Sequence, residues 1–462
     1  MARSWRPEVN ELTPAATPAA GRIVETIFAK ATTLTPGARR PAVECVTRTL
    51  NLRSVALAVG LALVLLLNGK AAGAAGATPN VVLFLADDVG YHDLSITGGP
   101  VRTPNLERLA REGTQLTNFR VSAECIPTRA ALLTGLYPQR LSNDGTLDWV
   151  QHGKPGRLPA WPVTLAETLR ETHGGRIIVG KWHLGPNEAQ HPLNNGFTHF
   201  QGIKGSESDM NYPVWWKNWT KLDPHQYVTT YTTDVVIKTL RQQNNDLNKA
   251  AFVYVPYQAA HSPFALPGDP KGTNDRAKRP EMLRIVDREI GKIMDEVRSL
   301  RRPTLVLFLS DNGSQAYVEN APFRGHKRDL YEGGLRVPAI IWMPGTVPDR
   351  HIIDDVVDVK DVLPTVADIT GARAPADLDG RSIVPLIKGG HLPERTWFWK
   401  DRYDGFAALR YPWKMHQKKG GGVELYNLAR DPGEARNLSS EASGPRESLV
   451  AQLADWRREV GR

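Results

Sequence analysis

Cysteine is nearly missing from this sequence, with two residues in 462, Cys45 and Cys125. That scarcity excludes a disulfide-built scaffold, which needs several paired cysteines. Long apolar runs are missing too. Val55 to Leu67 is thirteen residues without a charge, short of the roughly 20 that a spanning helix requires, so nothing suggests a multi-span membrane protein. Blocks of one charge sign are also absent. The 58 lysines and arginines exceed the 49 aspartates and glutamates by +9, but they are dispersed. This argues against nucleic acid as a partner and leaves an acidic substrate as the modest inference. At 41% hydrophobic and 23% charged residues, the composition is that of a folded globular chain. Its length allows one large α/β domain or two to three smaller ones, and no internal repeat is visible.

What the Val55–Leu67 run has is flanks: Arg48 and Arg53 before it, and a small-residue stretch ending Ala75-Gly76-Ala77 after it. This is the pattern of a secretory signal, with cleavage expected near Ala77. Residues 1–77 are read as a removable leader. The mature protein is then exported, periplasmic or secreted, with no stable membrane span after cleavage. The 54 residues ahead of the run are long for a signal, and no methionine lies between Met1 and Met210. A misassigned start, at a non-methionine codon near Val43, Val46 or Leu50, is the expectation; a type II membrane anchor is the alternative. Cleavage leaves Cys125 as the single cysteine in a compartment where cysteines usually pair, and such a residue invites a chemical explanation.

From Asn80 onward, short apolar runs alternate with amphipathic stretches. Residues 81–86, 115–121, 176–179, 251–256, 304–310 and 337–342 are predicted as strands. Residues 105–112, 165–172, 281–300 and 358–369 are predicted as helices, with a further helix starting at Arg129. Alternation of this kind favours an α/β sheet. After about Ile387 the character changes to short strands rich in tryptophan and tyrosine, a Gly420-Gly421-Gly422 turn and a closing helix around 449–456. Lys418 and Lys419 fit a solvated hairpin tip.

The predicted strand 81–86 ends in Asp87-Asp88, and 304–310 ends in Asp311-Asn312-Gly313. The carboxyl ends of strands are where open α/β sheets bind ligands. Three carboxylates and one amide suit a hard cation, calcium or magnesium, better than zinc. Taken singly, either pair is more often a helix cap or a turn. Cys125-Ile126-Pro127-Thr128-Arg129 runs straight into Ala130-Ala131-Leu132-Leu133-Thr134-Gly135. The cysteine is placed just before a helix, where free N–H groups and the positive dipole end favour an anion or an anionic nucleophile.

Cys-x-Pro-x-Arg followed by Ala-Ala-Leu-Leu-Thr-Gly resembles the signature of the type I sulfatases. Further stretches agree in order and spacing: Asp87-Asp88, Gly180-Lys181-Trp182-His183-Leu184-Gly185, Ala260-His261-Ser262-Pro263, Ser310-Asp311-Asn312-Gly313, Lys327 ahead of Tyr331-Glu332-Gly333-Gly334, and Asp431-Pro432-Gly433-Glu434. The resemblance implies an alkaline-phosphatase-like α/β fold, a mixed sheet between helices, over residues 78–387, with a smaller α+β domain over 388–462. It also implies that a formylglycine-generating enzyme oxidises Cys125 to formylglycine, whose hydrate attacks sulfur with one oxygen and releases sulfate by expelling the other. Calcium, with magnesium as the alternative, would be held by Asp87, Asp88, Asp311, Asn312 and residue 125 (Cys125), acting as Lewis acid and template. Arg129 and Lys181 would hold the hydrate, and Lys327 and His261 would contact sulfate and protonate the departing alkoxide. His183 would remove the diol proton, and Asp311 would also take the nucleophile's proton. The substrate is then a sulfated small molecule or glycan.

Trp215, Trp216 and Trp219 cluster in a stretch that reads as a loop. Core packing is the first expectation for them and an aromatic platform for a sugar the second. Asn218-Trp219-Thr220 is also a glycosylation sequon. Two rivals to sulfate hydrolysis stand: a phosphonate monoester or phosphodiester hydrolase on the same scaffold, and a secreted pseudoenzyme that binds sulfated glycans without turnover. The second would show a lost nucleophile or ligand, and none is missing.

Overall fold

The computed structural model describes residues 77–141, 157–205, 209–245, 248–315, 317–318 and 320–460; the Val55–Leu67 run and the rest of the leader through residue 76 lie outside them. Among the described residues, twelve strands precede residue 360: β1 (Asn80–Ala86), β2 (Thr114–Leu116), β3 (Phe119–Arg120), β4 (His173–Lys181), β5 (His199–Ile203), β6 (Trp215–Lys217), β7 (Thr220–Leu222), β8 (Ala250–Pro256), β9 (Thr304–Ser310), β10 (Ile340–Trp342), β11 (His351–Ile353) and β12 (Val357–Asp358). Ten of them form one mixed sheet in the order β11-β2-β10-β9-β1-β8-β4-β5-β6-β7, while β3 and β12 pair apart from it. At its centre β9, β1, β8, β4 and β5 run parallel.

These central strands read as continuous apolar runs because both sheet faces are covered. Along β1, Val81, Leu83 and Leu85 enter one core and Val82, Phe84 and Ala86 the other. Helices α1 (Pro104–Glu112) and α2 (Cys125–Thr134) lie on opposite faces. Next come α3 (Val228–Asn245), α4 (Arg279–Ser299) and α5 (Val362–Thr370). Leu106 and Leu109 of α1, Val236 and Leu240 of α3, and Met282, Val286 and Ile290 of α4 fill one core. Ala130 and Leu133 of α2 and Leu363 and Val366 of α5 fill the other. Strands β13 (Trp397–Lys400), β14 (Phe406–Arg410), β15 (Trp413–Gln417) and β16 (Val423–Asn427) make a separate antiparallel sheet. Helix α6 (Ser443–Val460) packs Leu449, Leu453 and Trp456 against it. No helix among the described residues is long and apolar enough to cross a membrane.

Several expectations need correction. The strand expected over 115–121 is broken in two at Thr117-Asn118, and its second half leaves the main sheet to pair with β12. The helix expected over 165–172 stops at Thr168, and the strand expected over 337–342 begins only at Ile340, after Pro338. The helix expected over 358–369 starts at Val362, behind a 3-10 turn capped by Asp358. The tryptophan stretch is a β-hairpin, β6 and β7, rather than a loop. Helix α3 was not anticipated.

Candidate active site

Four adjacent parallel strands deliver the chemistry at one edge. β1 runs into Asp87 and Asp88, β9 into Asp311 and Asn312, β4 ends on Lys181 two residues before His183, and the segment after β8 carries His261. Cys125 comes from α2. It does not precede the helix but opens it, with Glu124 as the extended N-cap. Pro127 is tolerated there because the first-turn N–H groups have no intrahelical partner. Gly135 ends the helix in the left-handed conformation at φ 69°, its N–H on the Ala131 carbonyl, a common glycine C-cap. The thiol therefore still sits at the positive end of the helix.

Asp87, Asp88, Asp311, Asn312, Arg129 and Lys181 are all fully buried. Arg129 donates to Asp311 Oδ2 at 2.7 Å, to Asp87 Oδ2 at 3.2 Å and to the Lys181 carbonyl at 2.9 Å. Lys181 donates to Asp87 at 2.5 Å, and Lys327 donates to Asp88 at 2.5 Å. The Asn312 amide donates to Asp88 at 2.8 Å, and His261 Nε2 stands 3.8 Å from Asp88 Oδ2. His183 Nδ1 lies 3.5 Å from Cys125 Sγ. The structure thus brings every expected residue to one place. Arg129 turns its donors onto the carboxylates, which makes it the neutraliser of that cluster.

Electrostatics separates the roles. Burial opposes ionisation of Asp88, but Lys327, His261 and the Asn312 amide outweigh it and hold the carboxyl below its usual range. Asp87 is lowered likewise, by Lys181 and His261 against burial. Asp311 is raised, by burial and by Asp87 beside it. Burial pushes the Cys125 thiol up to about 11, so an unmodified thiol would remain protonated at neutral pH and be a weak nucleophile. His183 is held well below its ordinary value by burial and then by Lys181 and Arg129, which leaves a neutral imidazole able to accept a proton.

Oxygen ligands for a cation are in place. Asp87 Oδ1 and Asn312 Oδ1 are buried and accept no hydrogen bond, a costly state unless something else meets them. Asp87, Asp88 and His261 offer ligand atoms within 4.8 Å of one another. The three carboxylates are balanced by Arg129, Lys181 and Lys327. A divalent cation would therefore leave the site net positive, as an anionic sulfate ester requires.

Sequence reasoning missed two contributors. Gln315 donates to Asp88 Oδ2; its only signal was its place three residues beyond Asn312. Glu124, adjacent to Cys125, pairs with Arg328 at 3.4 Å and with Arg402 from the β13–β14 turn. No local pattern links Arg402 to a residue 278 positions earlier.

The family model described as Sulfatase matches residues 79–372, and one described as N-sulphoglucosamine sulphohydrolase, C-terminal, matches 324–459. The N-acetylgalactosamine-6-sulfatase of Canis lupus familiaris is 33% identical over 75% of this chain and 73% of that one. Arylsulfatase A of Bos taurus is 30% identical over 80% and 85%. Among solved structures, Ps i-CgsB in complex with k-i-k-neocarrahexaose superposes with a TM-score of 0.76 at 25% identity, over 83% of this chain and 94% of that one. The phosphonate monoester hydrolase of Agrobacterium radiobacter, at 19% identity and a TM-score of 0.62, shares the fold alone. With its alkaline-phosphatase-like sheet and this set of relatives, the chain belongs to the sulfatase family and is a sulfuric ester hydrolase.

Proposed function

We propose that this enzyme removes sulfate esters from sulfated sugars, with Cys125 matured to formylglycine and a divalent cation, calcium in our reading, held by Asp87, Asp88, Asp311 and Asn312. The observation that carries the proposal is the pair of partnerless buried oxygens, Asp87 Oδ1 and Asn312 Oδ1, in a charge-balanced cluster beside residue 125. When bound, the cation would polarise sulfate oxygens as a Lewis acid, and the hydrated aldehyde would supply an oxygen nucleophile. The chain's own residues do the rest. Lys327 and His261 are partly exposed; they orient the sulfate, and His261 gives a proton to the departing alkoxide oxygen. His183, neutral and beside residue 125, takes a proton from that side chain. Arg129 and Lys181 keep Asp87 and Asp311 fixed.

Sulfate is preferred to phosphonate because the sequence relatives carry sulfatase names, whereas likeness to the phosphonate hydrolase is one of fold. Sugars are preferred because the named relatives and neighbours include an N-acetylgalactosamine-6-sulfatase and a neocarrahexaose complex. We infer export as well, with cleavage near Ala77, which amino-terminal sequencing of the exported protein checks. The test of mechanism is mass spectrometry of the Cys125 peptide from the native host. Loss of about 18 Da, with hydrolysis of aryl sulfate outrunning that of phenyl phosphonate, is the expected result. An unmodified thiol in active protein would overturn the formylglycine reading.

A further inference from the structure

The tryptophan hairpin divides sharply. Trp215 is fully buried and packs edge-on against Tyr231, so it belongs to the core. Trp219, at the hairpin tip, is 48% exposed although its ring is stacked on His191 at 3.7 Å and 19°. One face of the indole is covered and the other meets solvent. Its support is rigid. The Leu193 N–H donates to His191 Nδ1 at 3.3 Å, and His191 Nε2 donates to the Asn218 carbonyl at 3.0 Å. Both ring nitrogens are used by a neutral imidazole. Asn218 in turn pins the tip to β5, its N–H on the Phe200 carbonyl at 2.7 Å and its Oδ1 accepting from the Phe200 N–H at 2.9 Å.

Beside this plane, Lys204 Nζ lies 3.7 Å from the Trp216 ring centre and 5.8 Å from that of Trp219. Lys221, paired opposite Trp216, is exposed. Among the described residues neither lysine has a carboxylate partner. A flat, preorganised apolar face flanked by two lysines matches a pyranose ring that carries sulfate: the ring's C–H face stacks on the indole and the anion meets the ammonium groups. The segment carrying Lys204 adjoins the catalytic centre, because the Lys204 carbonyl accepts the N–H of His183 at 3.1 Å. Trp216 on β6 lies two strands out from β4 and Trp219 on the turn beyond it two to three, roughly 10–14 Å at the usual strand spacing, further than one sugar ring at Cys125 would reach.

We propose that Trp219, Trp216 and Lys204 form a second sugar-binding site, which holds a distal ring of a sulfated oligosaccharide while the reacting sulfate sits at residue 125. This rests on the sulfated-sugar reading above. It makes the enzyme one that prefers chains over single sugars.

The experiment compares wild type, Trp219→Ala, Trp219→Phe and Lys204→Gln on a sulfated tetrasaccharide and on a small aryl sulfate. Trp219→Ala is expected to raise KM for the tetrasaccharide about tenfold, the size of one stacked aromatic contact. Its kcat, and both constants on the aryl sulfate, stay unchanged; Trp219→Phe restores most of the affinity, and Lys204→Gln weakens it only when the distal ring is sulfated. Equal KM for the tetrasaccharide in wild type and Trp219→Ala would overturn the proposal. A loss on both substrates would do the same by showing a structural role. Should no sulfate ester be turned over, the function fails but the platform is still tested by electrophoresis through a gel containing sulfated polysaccharide. Retardation lost in Trp219→Ala supports the site, and equal retardation refutes it.

Discussion

At the carboxyl edge of the main sheet, three buried carboxylates meet two buried cations and the partly exposed Lys327, and still leave Asp87 Oδ1 and Asn312 Oδ1 without a donor. Between β3 and β15 lies a second ionic cluster, equally buried, in which no carboxylate oxygen is left over. Arg120 makes a two-pronged contact with Glu332 at 3.1 and 2.7 Å, and Lys414 donates to the same carboxylate at 2.8 Å. Glu434 accepts from His416 at 2.7 Å, from Lys414 at 3.1 Å and from the Glu332 N–H at 2.6 Å. All four carboxylate oxygens of this pair are occupied. Burial resists the charge on Glu332, yet Arg120 and Lys414 hold its carboxyl well below the usual range. The difference separates a binding site from a weld: saturated polar groups fix structure, and oxygens left without donors inside a cluster of ligand-type residues suit an incoming cation.

The contrast can be broken at several points. Asp311→Asn should cut turnover of an aryl sulfate by at least about a thousandfold, roughly 4 kcal/mol of transition-state stabilisation, and should lower the melting temperature too, because Arg129 loses one of its two buried carboxylates. Lys414→Met should act on stability alone. Removing one partner of a buried ion pair costs about 3–5 kcal/mol of stability, readable by urea unfolding, with cation binding retained. Were Lys414→Met to leave the unfolding midpoint in place, the weld would be refuted.

Chelation sharpens the comparison. If the cation binds the folded state at a hundred times its dissociation constant, its removal costs about 2.7 kcal/mol. EDTA should therefore lower the melting temperature of wild type and of Lys414→Met alike, and leave Asp88→Asn unaffected. His173 serves as a control remote from both clusters. Burial lowers its pKa from 6.5 to about 4, and its Nε2 donates to the Pro79 carbonyl. With the folded value depressed, its contribution is complete above pH 6.5 and is lost as pH falls toward 4, at most about 3 kcal/mol. His173→Gln should flatten that part of the pH–stability curve in every background. Smallest of all, Lys419→Ala at the exposed hairpin tip should shift stability by less than about 0.5 kcal/mol.

The strands that carry the site were legible because burial on both faces writes them as uninterrupted apolar runs ending abruptly in acidic residues, as at Asp87 and Asp311. Helix α3 was not legible, for a definite reason. Its buried face is built from Val228, Thr229, Thr232, Thr233, Val236 and Leu240, so half of the helical period is hidden in threonine. Those hydroxyls reach the carbonyls four residues back, Thr232 to Val228 at 2.8 Å and Thr233 to Thr229 at 3.1 Å, which lets them be buried. The β-branched residues argue for a strand, and tertiary packing overrides them. At the site, residues in local motifs could be read, whereas Arg402 and the Glu332 cluster depend on contacts between distant parts of the chain.

The Glu332 weld also imposes an order in time. Lys327 sits five residues before Glu332 on a segment tied at one end to Ser314 and Ala123 and at the other to Lys414 and Glu434, the latter 102 residues further along. On the ribosome, the strands bearing the acidic ligands are complete long before that anchor exists. Such a nascent chain can gather its carboxylates, and even Lys327 through Ser314, Ala123 and Asp88, while the tie behind Glu332 still waits for Lys414 and Glu434.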